Sequence, residues 1–207
     1  EGGGLKEGMA KIAGGPGIAR AGKGALQLTA AAADGKSSGA GVHVWFGPEG
    51  HDRVHIRYSI KFAADYDQGN LNHTGGGLSG VAGADKWGGM GGAGLKPRGD
   101  DHFNSRLEAW RDWGRVASPG YMFCYAYWMD IKRDKDGNYW GNMLGPAAEE
   151  RFVPERGRWY CMEEMVKANT VGKADGELAA WVDGKLYMHV TGFRWRSDAA
   201  VRLKRAS

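Results

Sequence analysis

The stretch Val54-His55-Ile56-Arg57-Tyr58-Ser59-Ile60-Lys61-Phe62 alternates apolar and polar residues without a break. A period of two places Val54, Ile56, Tyr58, Ile60 and Phe62 on one side of an extended chain and predicts a strand with one buried face. The same period returns at 102–110, where Asn104, Arg106, Glu108 and Trp110 share one face and Phe103, Ser105, Leu107 and Ala109 the other. It returns again at 121–129, with Tyr121, Phe123, Tyr125 and Tyr127 opposite Met122, Cys124, Ala126 and Trp128. A further strand is expected at 159–169. Residues 178–182 and 185–190 flank Asp183-Gly184, a hairpin signal in which both turn positions favour positive φ. No segment holds a helical repeat beyond two turns, and the alanine run at 30–33 is read as a strand end. Strands at this density predict an all-β chain, a sandwich or barrel.

Composition agrees. There are 36 glycines among 207 residues, more than twice the usual share of about 7%. They lack the three-residue period of collagen. Nine Trp, eight Tyr and six Phe exclude a disordered chain, which is poor in aromatics. No apolar run approaches the roughly 20 residues of a membrane helix, so no membrane partner is expected; nor is a nucleic-acid partner. The net charge of +4 and a pI near 9.0 favour an anionic partner. Basic residues are densest near the end, at Arg194, Arg196, Arg202, Lys204 and Arg205, and read as a solvated strand face and tail. Glu1 is not an initiator Met, so a secreted or periplasmic protein whose leader has been removed is expected. Neither repeats nor a linker divide the chain, so one domain is expected over 1–207.

The chemistry is narrowed by what the motifs lack. Residues 75–94 hold ten glycines in twenty positions, a backbone that must bend or be closely approached; without a Gly-Lys-Ser/Thr ending it is not a phosphate loop. Glu163 and Glu164 are adjacent and point to opposite faces, Asp65 and Asp67 sit in a loop, and no strand carries paired carboxylates two or four apart. Paired-carboxylate hydrolysis is therefore disfavoured. Six scattered histidines without His-Glu-x-x-His give no metal site, and no cofactor is expected. No Gly-x-Ser-x-Gly elbow is present. The two polar-aromatic faces, Asn104/Arg106/Glu108/Trp110 and Tyr121/Phe123/Tyr125/Tyr127, suit a sugar chain, with ring faces for its apolar side and fixed donors for its oxygens. What remains is β-elimination on a uronate, in which Arg or Asn neutralises the carboxylate and Tyr or His moves protons. A tyrosine, with a reference pKa near 10, serves as base when a nearby cation lowers it, and Arg106 is the candidate cation.

The order Gly69-Asn70-Leu71, Phe103-Asn104-Ser105-Arg106, Tyr125-Ala126-Tyr127, Gly157-Arg158-Trp159 and Trp181-Val182-Asp183-Gly184 resembles the jelly-roll polysaccharide lyases of families fourteen and twenty, the alginate and glucuronan lyases. The likeness runs from about residue 42 to 196. It implies a concanavalin-like jelly-roll β-sandwich of two antiparallel sheets. It implies that Arg106 lies near the substrate carboxylate, that Tyr125 and Tyr127 are the paired tyrosines, one of them the acid/base, and that Asn104 stands where the family has serine. The family's Gly-Lys-Leu-Pro-Gly segment carries a catalytic lysine; the matching position here is Asn70, leaving Asn70, Asn72 or His73 to take its part, with His73 the reserve base. Tyr121, Glu108 and Trp110 complete the expected sugar-binding set. Relatives continue into a further strand, so the resemblance implies a chain shortened at its end, with an open sheet edge. Two functions follow: a lyase acting on an anionic uronate polysaccharide, or a carbohydrate-binding module of the same fold without catalysis. A bridge between Cys124 and Cys161 and two buried thiols stand as equal expectations.

Overall fold

The computed structural model describes residues 8–29, 40–69, 74–89 and 92–207. The chain runs β1 (Ala10–Gly14), β2 (Gly24–Leu28), β3 (Val44–Trp45), β4 (Arg53–Lys61), β5 (Thr74–Val81), β6 (His102–Trp110), β7 (Tyr121–Tyr127), β8 (Asn142–Leu144), β9 (Trp159–Lys167), β10 (Gly176–Val182), β11 (Lys185–Phe193) and β12 (Arg202–Ala206). One short 3-10 turn, Ala148–Glu150, is the only helical element among the described residues. β1 and β2 form a ribbon of their own. The rest make two antiparallel sheets, one ordered β3-β12-β5-β6-β7-β8 and the other β11-β10-β9-β4. The alanine run at 30–33 lies outside the described residues.

The sheets face one another because each alternating strand turns its apolar side inward. Leu78, Phe103, Leu107, Met122 and Cys124 of the larger sheet meet Tyr160, Met162, Val166, Leu178 and Ala180 of the smaller one. Val54, Ile56, Tyr58 and Ile60 pack against this core but remain half-buried, while Phe62 is fully buried. The reason is position: β4 is an edge strand of the four-stranded sheet. Asp183 and Gly184 take φ of 48° and 79°, the left-handed pair that a two-residue hairpin between β10 and β11 needs.

β5 is the element that the glycine run concealed. It lies between β12 and β6, and its glycines are required by what crosses it. A Cβ on Gly77 would stand 2.1 Å from the Ser105 carbonyl oxygen and 2.6 Å from Arg106 Cα, and one on Gly75 would meet the Leu107 oxygen at 2.1 Å and Glu108 Cα at 2.7 Å. Those obstacles are backbone and cannot yield. On the core side Gly76 lies over the Tyr58 ring; its N–H donates to the Tyr58 hydroxyl at 2.9 Å, which itself donates to the Leu107 carbonyl at 3.0 Å.

Two expectations need correction. The basic residues near the end are a solvated face only in part: Arg194 is exposed and Arg202 half-buried, whereas Arg196, Lys204 and Arg205 are buried and donate hydrogen bonds to loop carbonyls. Arg196 bonds the Asn169 and Val201 carbonyls and pairs with Asp52 at 2.9 Å. The last strand, β12, lies between β3 and β5, so the edges of the larger sheet are β3 and β8. The cysteines are both free. Cys124 faces the core, but Cys161 alternates with the buried Tyr160 and Met162 and so points to the other side of its sheet.

Candidate active site

The outward face of the larger sheet gathers the polar-aromatic residues in three consecutive rows. Antiparallel register sets Arg205, Ser79, Asn104 and Tyr127 side by side, then Gly77, Arg106, Tyr125 and Met143, then Gly75, Glu108 and Phe123. Directly opposed residues on antiparallel strands share a face. Arg106 and Tyr125 are thus immediate cross-strand neighbours, and Asn104 and Tyr127 are the next pair. With no side chain on Gly75 and Gly77, Arg106 and Glu108 have room to lie toward β12 across the bare backbone of β5.

Along β7 the rings form a ladder of edge-to-face contacts, with Phe123–Tyr125 centroids 6.2 Å apart and Tyr125–Tyr127 centroids 5.5 Å apart. The Tyr125 and Tyr127 hydroxyls are 3.3 Å apart. Gly141 lies against both rings, where a Cβ would come within 2.7 Å of each. Tyr125 is half-exposed, whereas Tyr127 is 9% exposed. Burial pushes the Tyr125 hydroxyl up from its ordinary range; the Tyr127 hydroxyl and the charge of Glu108 push it the same way, against a backbone bond from Gly141. The lowering expected from Arg106 is therefore not found at Tyr125. This phenol is a held proton, an acid rather than a ready base.

Loops border the face at both ends; we call the strip between them the trough. At one end Trp113 meets Trp110 edge-on at 4.8 Å, and the Arg151 guanidinium sits 4.3 Å over the Tyr121 ring. At the other end the 82–89 loop folds back over β5: a Cβ on Gly89 would touch the Val81 side chain at 3.3 Å. Tyr121, at 8% exposed, and Glu108, at 2%, belong to the floor of the trough, closed from solvent. Trp110 and Asn104 are half-buried. Asn70, Asn72 and His73 lie outside the described residues.

Two features escaped the sequence reading. His43, just before β3, is held below its ordinary pKa by burial and then by the positive charges of Arg205 and Arg106, so a second arginine and a histidine belong to this basic end. No periodicity marks His43, and Arg205 looked like part of a tail. The other feature lies directly beneath the site. Ser105, between Asn104 and Arg106, turns into the core and donates to Glu164 Oε1 at 2.7 Å; Oε2 is buried without a hydrogen-bond partner among the described residues. Burial raises Glu164 to about 8, the Ser105 bond and the Arg106 charge offsetting only part of it.

A carboxyl raised in the fold from 4.5 to about 8 is protonated when folded and ionised when unfolded between those values. Its contribution to stability is complete below pH 4.5 and declines as pH rises toward 8, by about 1.4 kcal/mol per pH unit for one proton. Glu164→Gln should flatten that decline by about this slope, measured as urea midpoints at pH 5 and 8. Parallel behaviour of the two proteins would contradict it.

A shallow hollow of about 400 Å³ on the outward side of the smaller sheet is lined by Arg20, Arg57, Trp159, Cys161, Glu163, Asp183 and Gly184. Its charged groups have protein partners: Arg57 pairs with Glu163 at 2.9 Å, the Asp183 carboxylate accepts from the Cys161 N–H, and Arg20 donates to the Ser59 hydroxyl. The paired Tyr125 and Tyr127 and their neighbour Arg106 are on the other sheet.

A family model described as polysaccharide lyase 14 matches residues 24–206. No curated protein matches the chain. Among solved structures, alginate lyase Aly36B superposes with a TM-score of 0.64 at 18% identity, over 98% of this chain and 76% of its own. A double mutant of Aly36B in complex with alginate tetrasaccharide gives 0.59 at 19% identity, over 82% of this chain; the match spans 62% of that protein's length. The endo-β-1,4-glucuronan lyase from the fungus Trichoderma reesei gives 0.59 at 13% identity, over 97% and 75%. At these identities the likeness is one of fold, a β-sandwich of two antiparallel sheets.

Proposed function

The chain belongs to the polysaccharide lyase 14 family, and from that membership and the trough we propose that it cleaves an anionic, uronate-containing polysaccharide by β-elimination. The observation that carries the reading is the cross-strand pair of Arg106 and Tyr125, with the Tyr127 hydroxyl 3.3 Å from that of Tyr125. In the reaction the C5–H bond breaks and its electrons form the C4=C5 double bond. The C4–O bond breaks in turn, and the departing oxygen takes a proton. Negative charge grows on the uronate carboxylate as C5 loses its proton, so a guanidinium beside it stabilises the transition state more than the ground state. Arg106 takes that part.

Tyr125, held protonated, gives its proton to the leaving oxygen. The bases in reach of this reading are Tyr127 and His73. Asn104, beside Tyr127, and Asn70 or Asn72 orient the sugar through their amides, while Trp110 lines the far end above the buried Tyr121. Polymers of this kind are degraded outside the cytoplasm, so a secreted or periplasmic location accompanies the proposal.

Incubation with alginate and with glucuronan tests it. The expected result is rising ultraviolet absorbance from a 4,5-unsaturated uronate with one of the two polymers. A rising pH limb near 6–7 marks a histidine base and one at higher pH a tyrosine. Binding of polymer without any such product would favour the carbohydrate-binding module, a reading that Asn70 in place of the family's lysine keeps in view.

A further inference from the structure

We propose that Trp87 is a sugar-stacking residue at the β12 end of the trough, and that Lys204 and Arg205 are the positioning residues that hold it there. The inference rests on the uronate reading above and extends it to a second sugar position. The 82–89 loop is fastened on both sides of Trp87. Lys204 Nζ donates to the Ala82 and Gly83 carbonyls at 2.9 and 3.1 Å. Arg205 Nη1 donates to the Lys86 and Gly88 carbonyls, the two flanking Trp87, at 2.7 and 3.3 Å. Consecutive residues of a regular strand point to opposite faces. Here the register of β12 on β5 slips between Leu203 and Arg205, and the bulge lets both cations reach one loop. Within the loop the Trp87 N–H donates to Asp85 Oδ1 at 2.9 Å and the Gly88 N–H to the Asp85 carbonyl at 3.0 Å.

The backbone on each side of Trp87 is thus tied down while its side chain is 42% exposed. His43 meets the indole edge-on at 5.3 Å. Arg205, bonded to the carbonyls on both sides of Trp87, stands in the row that runs through Ser79 and Asn104 to Tyr127, which places the loop at the β12 end of the trough. Lys86 Nζ lies 5.5 Å over the ring, so the indole offers a sugar its remaining exposed face, and a fixed backbone displaying that face is pre-organised because little ordering remains to be done on binding. The positive charges of Lys86, Arg205 and Arg106 select a sugar that carries a carboxylate. Arg205, only 3% exposed, acts through the loop and its charge rather than by touching sugar.

The test is steady-state kinetics of Trp87→Ala on the polymer and on its oligouronates of increasing length. KM for the polymer should rise about tenfold while kcat falls less than about threefold, with the shortest cleaved oligomers unaffected. Trp87→Tyr should recover most of the loss. Arg205→Lys, which keeps the charge but not the paired carbonyl bonds, should show the same length dependence with its melting temperature little changed. Equal losses on short and long substrates, or an unchanged KM, would overturn the inference. Should the wild type yield no unsaturated product, calorimetric affinities of the same oligouronates for wild type and Trp87→Ala decide it: a weaker variant upholds the platform even as the lyase reading fails. Equal affinities, or no binding by either protein, overturn the platform.

Discussion

Tyr125→Phe should lower kcat by about 10²–10⁴-fold, the range of a positioned general acid, while leaving polymer binding measurable. Only a hydroxyl is removed. The ring keeps its edge contacts with Phe123 and Tyr127 and its place against Gly141, so the melting temperature should stay near that of the wild type. What is lost is a phenol that burial keeps protonated and that lies across from the cation meant for the carboxylate. Activity within a few-fold of wild type would remove Tyr125 from the chemistry and move the proton to another group. Measuring kcat and binding together matters, since a loss of both would indicate a disturbed trough rather than a missing proton.

Arg106→Ala should cost about 10²–10³-fold in kcat, the scale of losing one donor to a developing oxyanion. The loss should fall on kcat more than on KM, because the carboxylate carries its extra charge only as C5 gives up its proton. Arg106→Lys should recover part of it, keeping the charge but losing the planar fork that meets both carboxylate oxygens. The variant has a second consequence beneath the sheet. Arg106 is one of the groups that hold Glu164 down against burial, so its removal should raise Glu164 further and move the alkaline end of the stability decline upward. A change in KM alone, with kcat intact, would make Arg106 a binding residue and nothing more.

Legibility in the sequence followed alternation. The β6 boundaries and the start of β7 were read correctly, and so was the sharing of faces by Asn104 with Arg106 and by Tyr125 with Tyr127, because period two assigns faces whatever the tertiary context. Which strands neighbour each other is not written in any one strand. The pairing that sets Arg106 against Tyr125 is a property of the sheet order. β5 was missed because its glycines signal bending, and only the close approach of the β6 backbone explains them, at Ser105 and Arg106 beside Gly77 and at Leu107 and Glu108 beside Gly75. Lys204 and Arg205 were misread because charge suggests solvent, whereas here the Ala82, Gly83, Lys86 and Gly88 carbonyls accept their N–H groups. Cys161 was expected in a strand that could reach the layer of Cys124, but β9 turns Tyr160 and Met162 inward and so Cys161 outward.

The most direct measurement is the mass of the products formed from the polymer in oxygen-labelled water. Elimination predicts new non-reducing ends lighter by one water than hydrolysis would leave, with no label taken up in the cleavage, and their disappearance in Tyr125→Phe. Products that carry the label at the cut, with no unsaturated ends, would mean that water attacked the glycosidic bond and would contradict the account.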